Sequence, residues 1–323
     1  MTEPMLRAGI IGAGQIAWRY DGGRWDGTRS VSHAACLDRH PQTRLVAIVD
    51  PDPATRADAG AALGPEVAVM ADLDAFLALD LDLICIASPT AFHAAHVRAA
   101  ARAGVRFLLV EKPVTNDMQE FSELVAELAA MPVRPRSFVN YFRRGLPQVY
   151  ALRAACQRAD LVALDFTYSR SLAINGVHMI DLCGYLLGLD AAPQLVWADP
   201  KGAENPSFAL RHGDLLVQFR GMDLPFHCIE CRATFADGRL SLLEGGLRLE
   251  REDALPNPAY PGFFRLGPAH PAMDPAEIEQ AFLEGTYRSL CALLDTHTPS
   301  PSPLEGSAFA QQVLAAVQRE VRP

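Results

Sequence analysis

The chain has 323 residues, which is longer than one hydrophobic core usually serves and favours two domains. Its formal net charge of −9 at pH 7 argues against a nucleic-acid ligand, because phosphate contacts require a positive protein surface. The seven cysteines are odd in number and scattered, which is not the pattern of a disulfide framework.

No targeting or membrane-spanning segment is predicted. Residues 1–7 lack the cationic stretch and following apolar run of a signal peptide. The longest apolar runs, such as residues 81–87, are far too short to cross a bilayer. We therefore expect a cytoplasmic protein without a membrane partner.

Short apolar strands alternate with helices through the first part of the chain. Strands are predicted at residues 7–12, 44–49, 81–87, 106–110 and 136–140. Helices are predicted at residues 54–63, 91–102 and 118–130. This alternation indicates right-handed βαβ crossovers, so we predict an α/β domain with a doubly wound parallel sheet at residues 1–143.

The pattern changes in residues 144–323. Helices are predicted at residues 146–158, 177–187, 275–294 and 304–319, and a strand at 162–168. Successive short strands with turn signals follow from 194 to 252, and a Pro- and Gly-rich ordered surface loop is predicted at 256–275. This second domain is predicted to be α+β with a mostly antiparallel, open-faced sheet, whose open face suits helix packing or a subunit partner.

A glycine-rich turn follows the first predicted strand. The hexapeptide Gly12-Ala13-Gly14-Gln15-Ile16-Ala17 matches the pattern G-x-G-x-x-G/A. The first glycine permits a sharp turn, the second lets backbone N–H groups approach a pyrophosphate, and the final small residue lets a helix pack on the sheet. In its βαβ context the motif predicts a dinucleotide-binding Rossmann domain. The alternative is a tight strand–helix turn in an α/β protein without a nucleotide.

Asp50 ends the second predicted strand and is the candidate partner of the ribose 2′-hydroxyl. A carboxylate there repels a 2′-phosphate, so NAD is favoured over NADP. Asp50 lies farther from the glycines than the usual ~20 residues. The excess is the polar, glycine-bearing stretch 19–32, an inserted loop that either covers the cofactor or is a solvated excursion. How far the helix after Ala17 extends is left open.

Four segments resemble the glucose–fructose oxidoreductase / inositol dehydrogenase / MocA (Gfo/Idh/MocA) family. They are IIGAGQIA (10–17), IASPTAFHAAHV (86–97), VEKPV (110–114) and NGVHMIDLCGYLLG (175–188), in the family's order and approximate spacing. The resemblance covers nearly the whole chain. It implies an NAD(P)-dependent oxidoreductase that acts on a carbon of a sugar, cyclitol or nucleotide sugar. It also implies a homodimer or homotetramer formed through the open face of the C-terminal sheet.

Lys112, in the segment Glu111-Lys112-Pro113, is the main catalytic candidate. It follows a predicted parallel strand, so it points into the crevice at the carboxyl ends of the sheet. Hydride transfer at an alcohol or carbonyl carbon needs a group that takes or gives a proton at the oxygen. The alternative is a surface lysine at the start of a loop, and the resemblance favours catalysis.

His178 and Asp181 lie three apart on a predicted helix and face the same side. Without the resemblance, His178 is expected to pack at a domain junction and Asp181 to be a charge at the start of the helix. The resemblance favours a substrate site, with His178 as a proton carrier. Many relatives carry an aspartate where this chain has Ile174. The following Asn175 can contact a substrate hydroxyl but is no base. This departure argues against simple inositol-type oxidation and leaves Lys112 and His178 as the candidate proton carriers.

Further candidates flank these positions. The proposed cofactor-binding residues beyond the glycine turn and Asp50 are Ser88, Pro89, Thr90, His93 and Glu111. His93 is equally explained as a residue that satisfies local polar groups. Arg143 and Arg144 either bind an anionic group of the substrate or form a salt-bridged face. Tyr168 and Arg170 are further candidate substrate contacts, because they precede the His178 segment. The stretch 168–178 loosely resembles family enzymes of surface-polysaccharide sugar metabolism.

A metal site is not predicted. Cys228 and Cys231 form a C-x-x-C with His227 beside them. The surrounding run, residues 226–235, has the pattern of a strand, on which residues three apart point to opposite faces. The two thiols are therefore not expected to converge on one ion.

Three functions are compatible with these residues. The first is an NAD(P)-dependent dehydrogenase or reductase of a sugar-like substrate. The second is a catalytically impaired relative that binds the cofactor and acts as a regulatory partner, which the residue Ile174 motivates. The third is a reductase of a C=N or C=O group, which needs only a proton donor such as Lys112 or His178. The fold alone does not decide among them.

Overall fold

The structure, a computed structural model, describes residues 5–199 and 204–321. Residues 1–4, on which part of the signal-peptide prediction rests, and residues 200–203 of the predicted strand region lie outside it. The chain divides into two units. The first comprises the residues up to Phe142 and the segment Leu283–Ser307, and the second comprises Arg143–Phe282 and the residues from Ala308 onward.

The first unit contains a six-stranded parallel sheet. Its strands are β1 (Leu6–Ile11), β2 (Thr43–Val49), β3 (Ala68–Met70), β4 (Leu83–Ile86), β5 (Phe107–Val110) and β6 (Arg136–Val139). Their order is β3-β2-β1-β4-β5-β6, which is the order of a Rossmann fold. The predicted doubly wound sheet is confirmed, and its switch point lies between β1 and β4.

Helices connect these strands. They are α1 (His33–Arg39), α2 (Pro53–Leu63), α3 (Leu73–Leu77), α4 (His93–Arg102) and α5 (Met118–Ala129). The side chains of Asp52, Asp72 and Asp117 cap α2, α3 and α5 by accepting hydrogen bonds from backbone N–H groups three residues on. Helices α2, α4 and α5 agree with the prediction. The prediction missed α1, α3 and β3, which are too short to show a periodic pattern.

The second unit contains a nine-stranded sheet. Its strands are β7 (Leu161–Ser169), β8 (Gln194–Ala198), β9 (Phe208–His212), β10 (Leu215–Met222), β11 (Ile229–Phe235), β12 (Gly238–Leu243), β13 (Arg248–Pro256), β14 (Phe264–Leu266) and β15 (His270–Pro271). The order is β14-β13-β12-β11-β7-β10-β9-β8, and β15 pairs with β13. Only β7 and β10 run parallel among the described pairs, so the mostly antiparallel sheet is confirmed. The loop predicted at 256–275 contains β14 and β15.

The remaining helices are α6 (Pro147–Cys156), α7 (Val177–Leu187), α8 (Pro275–Leu283), α9 (Gly285–Leu294) and α10 (Ala308–Val321). In the second unit, α7 packs against α6, α10 and β7. A Cβ on Gly184 of α7 would lie 2.6 Å from the Phe309 ring of α10, so glycine is needed for this close approach. The single helix predicted at 275–294 is two helices, α8 and α9, with the break at Glu284.

The segment Leu283–Ser307 is a departure from the predicted boundary, because all residues after 143 were expected in the second domain. Its helix α9 packs on α1, β5 and β6 of the first unit. Leu290 and Leu293 are fully buried in the core of that unit. Arg136 of β6 also donates a hydrogen bond of 2.7 Å to the Leu293 carbonyl. Burial of this apolar helix face decides where the segment belongs.

The two faces of the second sheet differ in chemistry. On one face the rings of Phe166, Phe208 and Phe219 stack, with centroids 4.8 and 4.3 Å apart. On the other face Arg220 and Arg232 are exposed. None of the helices in the described part of the chain is long and apolar enough to cross a membrane.

Candidate active site

The glycine turn after β1 has the geometry that the motif requires. Gly12 has a φ of +93°, and a Cβ there would lie 2.6 Å from the backbone nitrogen of Ser88, so no side chain fits. A Cβ on Gly14 would meet nothing within 4 Å, which leaves open space at this point of the turn. Ala17 is fully buried against the sheet. These residues fit a dinucleotide pyrophosphate.

The chain beyond the glycine turn does not form a long helix. Residues Gln15–Arg19 form one π-helical turn, and the Trp18 indole N–H donates to the Ala13 carbonyl at 3.0 Å. An ordered loop follows, in which the Asp21 carboxylate accepts a hydrogen bond of 2.8 Å from the Ser32 N–H. The predicted inserted loop is therefore held by its own hydrogen bonds.

Asp50 braces the glycine turn from the end of β2. One carboxylate oxygen accepts a hydrogen bond of 2.8 Å from the Ala13 N–H, and the other accepts one of 2.9 Å from the Asp52 N–H. Carboxylate oxygens can each accept a further hydrogen bond, so a ribose hydroxyl is still a possible partner. The nearby Arg56 guanidinium donates to the carbonyls of Asp50 and Pro51 at 2.9 and 2.8 Å.

The loop after β4 gathers the candidates Ser88, Pro89, Thr90 and His93. The Ser88 hydroxyl lies 2.8 Å from His96 Nδ1. Burial lowers the pKa of His96, and the neighbouring His93 acts in the same direction. Pro89 precedes a short 3₁₀ turn that begins at Thr90. These residues follow the strand that borders the switch point, where ligands bind in such sheets.

Lys112 follows β5, and both of its chain neighbours are anchored. The Glu111 N–H donates to the Ile86 carbonyl at 2.9 Å. The peptide bond between Lys112 and Pro113 is cis. The Pro113 carbonyl oxygen lies 2.9 Å from His93 Nδ1, while His93 Nε2 lies 2.6 Å from the Ser88 carbonyl oxygen. His93 therefore joins the loop of Lys112 to the loop after β4.

The Glu111 carboxylate is held in a buried network. Its Oε1 accepts hydrogen bonds from His33 Nε2 at 2.9 Å and from Asn140 Nδ2 at 2.7 Å. Burial raises the pKa of Glu111, but His33, Lys112 and Asn140 outweigh it and hold that pKa below its ordinary value. Burial likewise lowers the pKa of His33, but Cys85 and Glu111 raise it to about 10. Both shifts favour an ion pair of His33 and Glu111.

In the second unit, Arg144 and Asp181 form a buried ion pair. Arg144 Nε donates to Asp181 Oδ2 at 3.0 Å, and Nη2 donates to Oδ1 at 2.6 Å. Burial raises the pKa of Asp181 above its ordinary value, and the opposing effects of Arg144 and Arg143 only partly offset it. Arg143 Nε donates to the Gly245 carbonyl at 2.9 Å. Burial lowers the pKa of Arg143 to about 10, although the negative charge of Asp181 acts in the opposite direction. The adjacent arginines thus have different partners.

The stretch from Tyr168 to His178 is tightly packed. The fully buried Tyr168 hydroxyl donates to the Pro206 carbonyl, and burial raises the pKa of Tyr168. A Cβ on Gly176 would lie 3.0 Å from the Tyr168 ring, so a side chain there would require the ring to shift. Asn175 Nδ2 donates to the Ser169 carbonyl at 2.8 Å.

His178 and Asp181 both lie on α7 and are buried. Ile174 is 57% exposed, so the position at which many relatives carry an acid faces outward from the packed core. Arg170 is exposed and has a φ of 65°, a left-handed conformation that is uncommon outside glycine. These features describe the substrate-site candidates of the second unit.

The C-x-x-C pair is divided between two environments. Cys231 is buried on β11, whereas Cys228 precedes that strand and is partly exposed. Across residues 5–199 and 204–321, no group of three or more His, Cys, Asp or Glu side chains is placed to hold a metal ion.

His33 is the residue of this region that sequence reasoning missed. It opens the short helix α1 directly after the inserted loop, and it is fully buried. The only local signal is Ser32, whose hydroxyl caps the helix by accepting from the Ala35 N–H at 3.2 Å. That signal predicts a helix start, but it does not point to Glu111.

A family comparison agrees with this geometry. Residues 6–137 match the family model (GFO_IDH_MocA) described as an oxidoreductase family with an NAD-binding Rossmann fold. Over these residues the chain is similar to the Gfo/Idh/MocA family. The matched segment runs from β1 into β6 and includes the glycine turn, Asp50 and Lys112. The resemblance inferred from the sequence is confirmed, and three of its four segments (10–17, 86–97 and 110–114) lie within the matched residues.

Two curated relatives are named for reactions of sugar-like molecules. An inositol 2-dehydrogenase of Leifsonia xyli subsp. xyli is 32% identical over 206 residues, which are 59% of this chain and 56% of the relative. A dTDP-3,4-didehydro-2,6-dideoxy-alpha-D-glucose 3-reductase of Streptomyces antibioticus is 33% identical over 130 residues, 39% of this chain and 34% of the relative. The chain thus spans about half of the first relative and a third of the second.

A solved structure has the same fold over both units. It is the WlbA dehydrogenase from Bordetella pertussis in complex with NADH and UDP-GlcNAcA, with a TM-score of 0.76 and 17% identity. The match covers 100% of this chain and 97% of that chain. At this identity the likeness supports the fold and carries no residue role.

Proposed function

We propose that this protein is an NAD-dependent oxidoreductase that transfers a hydride between nicotinamide and a carbinol or carbonyl carbon of a sugar-like substrate. The nicotinamide, when bound, accepts or supplies the hydride. The observation that carries the proposal is the position of Lys112 after β5 of a sheet whose glycine turn fits the dinucleotide. The two curated relatives that are named for an inositol and a dTDP-sugar support the substrate class.

Lys112 is the proposed proton carrier. Of the 29 lysine and arginine residues in the chain, only Lys112 and Lys201 are lysines. Arginine supplies charge nearly everywhere else, so charge alone does not explain a lysine here. Lysine can give up its proton when its surroundings shift its pKa, whereas arginine stays protonated. Of these two residue types, only lysine can gain and lose a proton at the substrate oxygen.

The proposed cofactor site uses backbone and side-chain groups of the first unit. Its residues are Gly12, Gly14, Gln15, Ile16, Asp50, Ser88, Pro89, Thr90, His93 and Glu111. We propose that His93 and Glu111 contribute by shaping the loops, since both side chains contact groups of their own unit. NAD is proposed over NADP because the Asp50 carboxylate repels a 2′-phosphate and the Arg56 guanidinium is engaged with backbone carbonyls.

The proposed substrate residues lie in the second unit, with His178 as a second proton carrier. Asn175 and Arg170 are proposed to contact substrate hydroxyls. Arg143, Arg144, Tyr168 and Asp181 belong to the same proposal. The polar groups of these four residues have partners within the unit, so they would act chiefly by shaping the site.

A second candidate function is reduction of the substrate, and Ile174 favours it because this position carries no acidic side chain. Reduction of a C=O or C=N group needs a proton donor, and a base at position 174 is not required. A catalytically impaired, regulatory relative is the remaining alternative. It would bind NADH and show no turnover in either direction.

The experiment that tests the proposal has two stages. NADH and NADPH binding is first measured by fluorescence and calorimetry, and failure to bind either cofactor rejects the function. Turnover is then assayed with cyclitols, sugars and nucleotide sugars, using NAD⁺ in one direction and NADH in the other. With an active substrate, Lys112→Ala and Lys112→Arg should each reduce kcat at least ~100-fold while NADH affinity changes little. Lys201→Ala is the control, and unchanged turnover in Lys112→Ala removes Lys112 from the mechanism.

We also propose that the protein forms a homo-oligomer. The open face of the second sheet, which carries the exposed Arg220 and Arg232, is the proposed interface of a homodimer or homotetramer. A cytoplasmic location stays a prediction. Light scattering of the wild type and of Arg232→Glu tests the interface, since a reversed charge within it should lower the mass.

A further inference from the structure

Three distant segments of the first unit meet at one carboxylate oxygen. His33 begins α1, Glu111 follows β5, and Asn140 follows β6. The two donors approach the same atom, Glu111 Oε1, at 2.9 and 2.7 Å. His33 is 0%, Asn140 3% and Glu111 9% exposed. A buried carboxylate with two donors on one oxygen has a fixed orientation.

This fixed carboxylate belongs to the residue directly before Lys112. On the other side, the Pro113 carbonyl contacts His93 at 2.9 Å. The main chain of Lys112 therefore lies between two neighbours, each in contact with a buried histidine.

We propose that His33 is a positioning residue for Lys112 and acts on it through Glu111. The inference rests on the proton-carrier role proposed for Lys112. The interaction has two parts, one geometric and one electrostatic. The hydrogen bonds of His33 and Asn140 fix the Glu111 carboxylate, and the positive charge of His33 balances the negative charge that Glu111 places beside the Lys112 ammonium.

The charged groups around the network set the sign of the effect. Two charged groups act on the Glu111 carboxylate, namely His33 at the start of α1 and Lys112, the next residue in the chain. Cys85 of β4 acts on His33 and raises its pKa. An unbalanced carboxylate beside an ammonium stabilises the protonated lysine. Removal of the His33 charge should therefore make Lys112 harder to deprotonate, and removal of the Glu111 charge should make it easier. Substitutions at the two positions are expected to have opposite effects.

The scarcity of lysine makes the effect measurable without substrate or cofactor. Trace acetylation with acetic anhydride, followed by mass spectrometry, reports the deprotonated fraction of Lys112, with Lys201 as the internal reference. Rates are taken from about pH 7 to about pH 11, which brackets the ordinary titration of lysine. His40 at the other end of α1 provides a matched control through His40→Phe.

Relative to wild type, His33→Phe should slow acetylation of Lys112 about threefold or more near pH 8, and Glu111→Gln should accelerate it by a similar factor. The differences in rate should narrow toward pH 11, where most of the lysine is deprotonated in every variant, and His40→Phe should match the wild type throughout. If His33→Phe does not fold, His33→Gln keeps a donor but no charge and should still slow the reaction.

Equal rates in the His33 and His40 variants, or shifts of the same sign in the His33 and Glu111 variants, overturn the proposal. A difference in rate that is as large at pH 11 as at pH 8 indicates altered access in place of altered protonation and also overturns it. A catalytic role of Lys112 is tested separately by the turnover of Lys112→Ala, so either idea can fail alone.

Discussion

The guanidinium of Arg144 and the carboxylate of Asp181 form a bidentate ion pair with N–O distances of 3.0 and 2.6 Å. The side chains are 11% and 3% exposed, so neither charge is hydrated well enough to stand alone. The pair connects the segment before α6 with α7, which also carries His178. Its integrity therefore determines the geometry of the proposed substrate residues.

Asp181→Ala is expected to lower the free energy of unfolding by about 3–5 kcal/mol, because it leaves the Arg144 charge buried without this partner. Urea denaturation measures the loss. Glu127→Ala removes a partner of Arg98 in a surface ion pair and serves as the control, with little change expected. A similarly small change in Asp181→Ala would contradict a structural role for the buried pair.

Substitutions of the two motif glycines should separate folding from cofactor binding. Gly12→Ala places a Cβ against the Ser88 backbone at a positive φ, so both thermal stability and NADH affinity should fall. Gly14→Ala meets open space, so the melting temperature should stay near that of the wild type while NADH affinity falls about tenfold or more. Melting curves and NADH titrations test the pair. Unchanged NADH affinity in Gly14→Ala would place the pyrophosphate elsewhere.

Asp50→Asn should change cofactor preference. The amide keeps an oxygen that can accept from the Ala13 N–H, but the negative charge that repels a 2′-phosphate is lost. The ratio of NADH to NADPH affinity should fall about tenfold or more. Asp52→Asn, at the cap of α2, is the matched control and should leave this ratio unchanged. An unaltered ratio in Asp50→Asn would argue against a ribose contact.

His33 should make stability depend on alkaline pH. Its pKa is raised from 6.5 to about 10 in the folded protein, so protonation favours folding. This contribution is fully present below about pH 6.5 and is lost as the pH rises toward 10. The stability difference between wild type and His33→Phe should shrink by about 1–3 kcal/mol across that range. Urea denaturation at several pH values measures it, and a constant difference would show that His33 is neutral.

Local patterns predicted the elements that are long or punctuated. Helix α7 was predicted at its observed bounds, Val177–Leu187, because a largely apolar stretch ends at Gly188, which takes the left-handed conformation in the structure. Helix α1 was missed because it has seven residues, five of them buried, and so has no polar face to create a period. The break at Glu284 was missed because α8 and α9 are each helical by composition.

The glycine turn, the parallel sheet and the place of Lys112 at a strand end were determined by the sequence itself. These features depend on residues close together in the chain, where backbone sterics and periodic burial act directly. The partners of the buried charges were decided only by the tertiary structure. Glu111 meets His33 across 78 positions, and Arg144 meets Asp181 across 37. A charged side chain shows no sequence signal for which distant donor will compensate its burial, because that choice is made by packing.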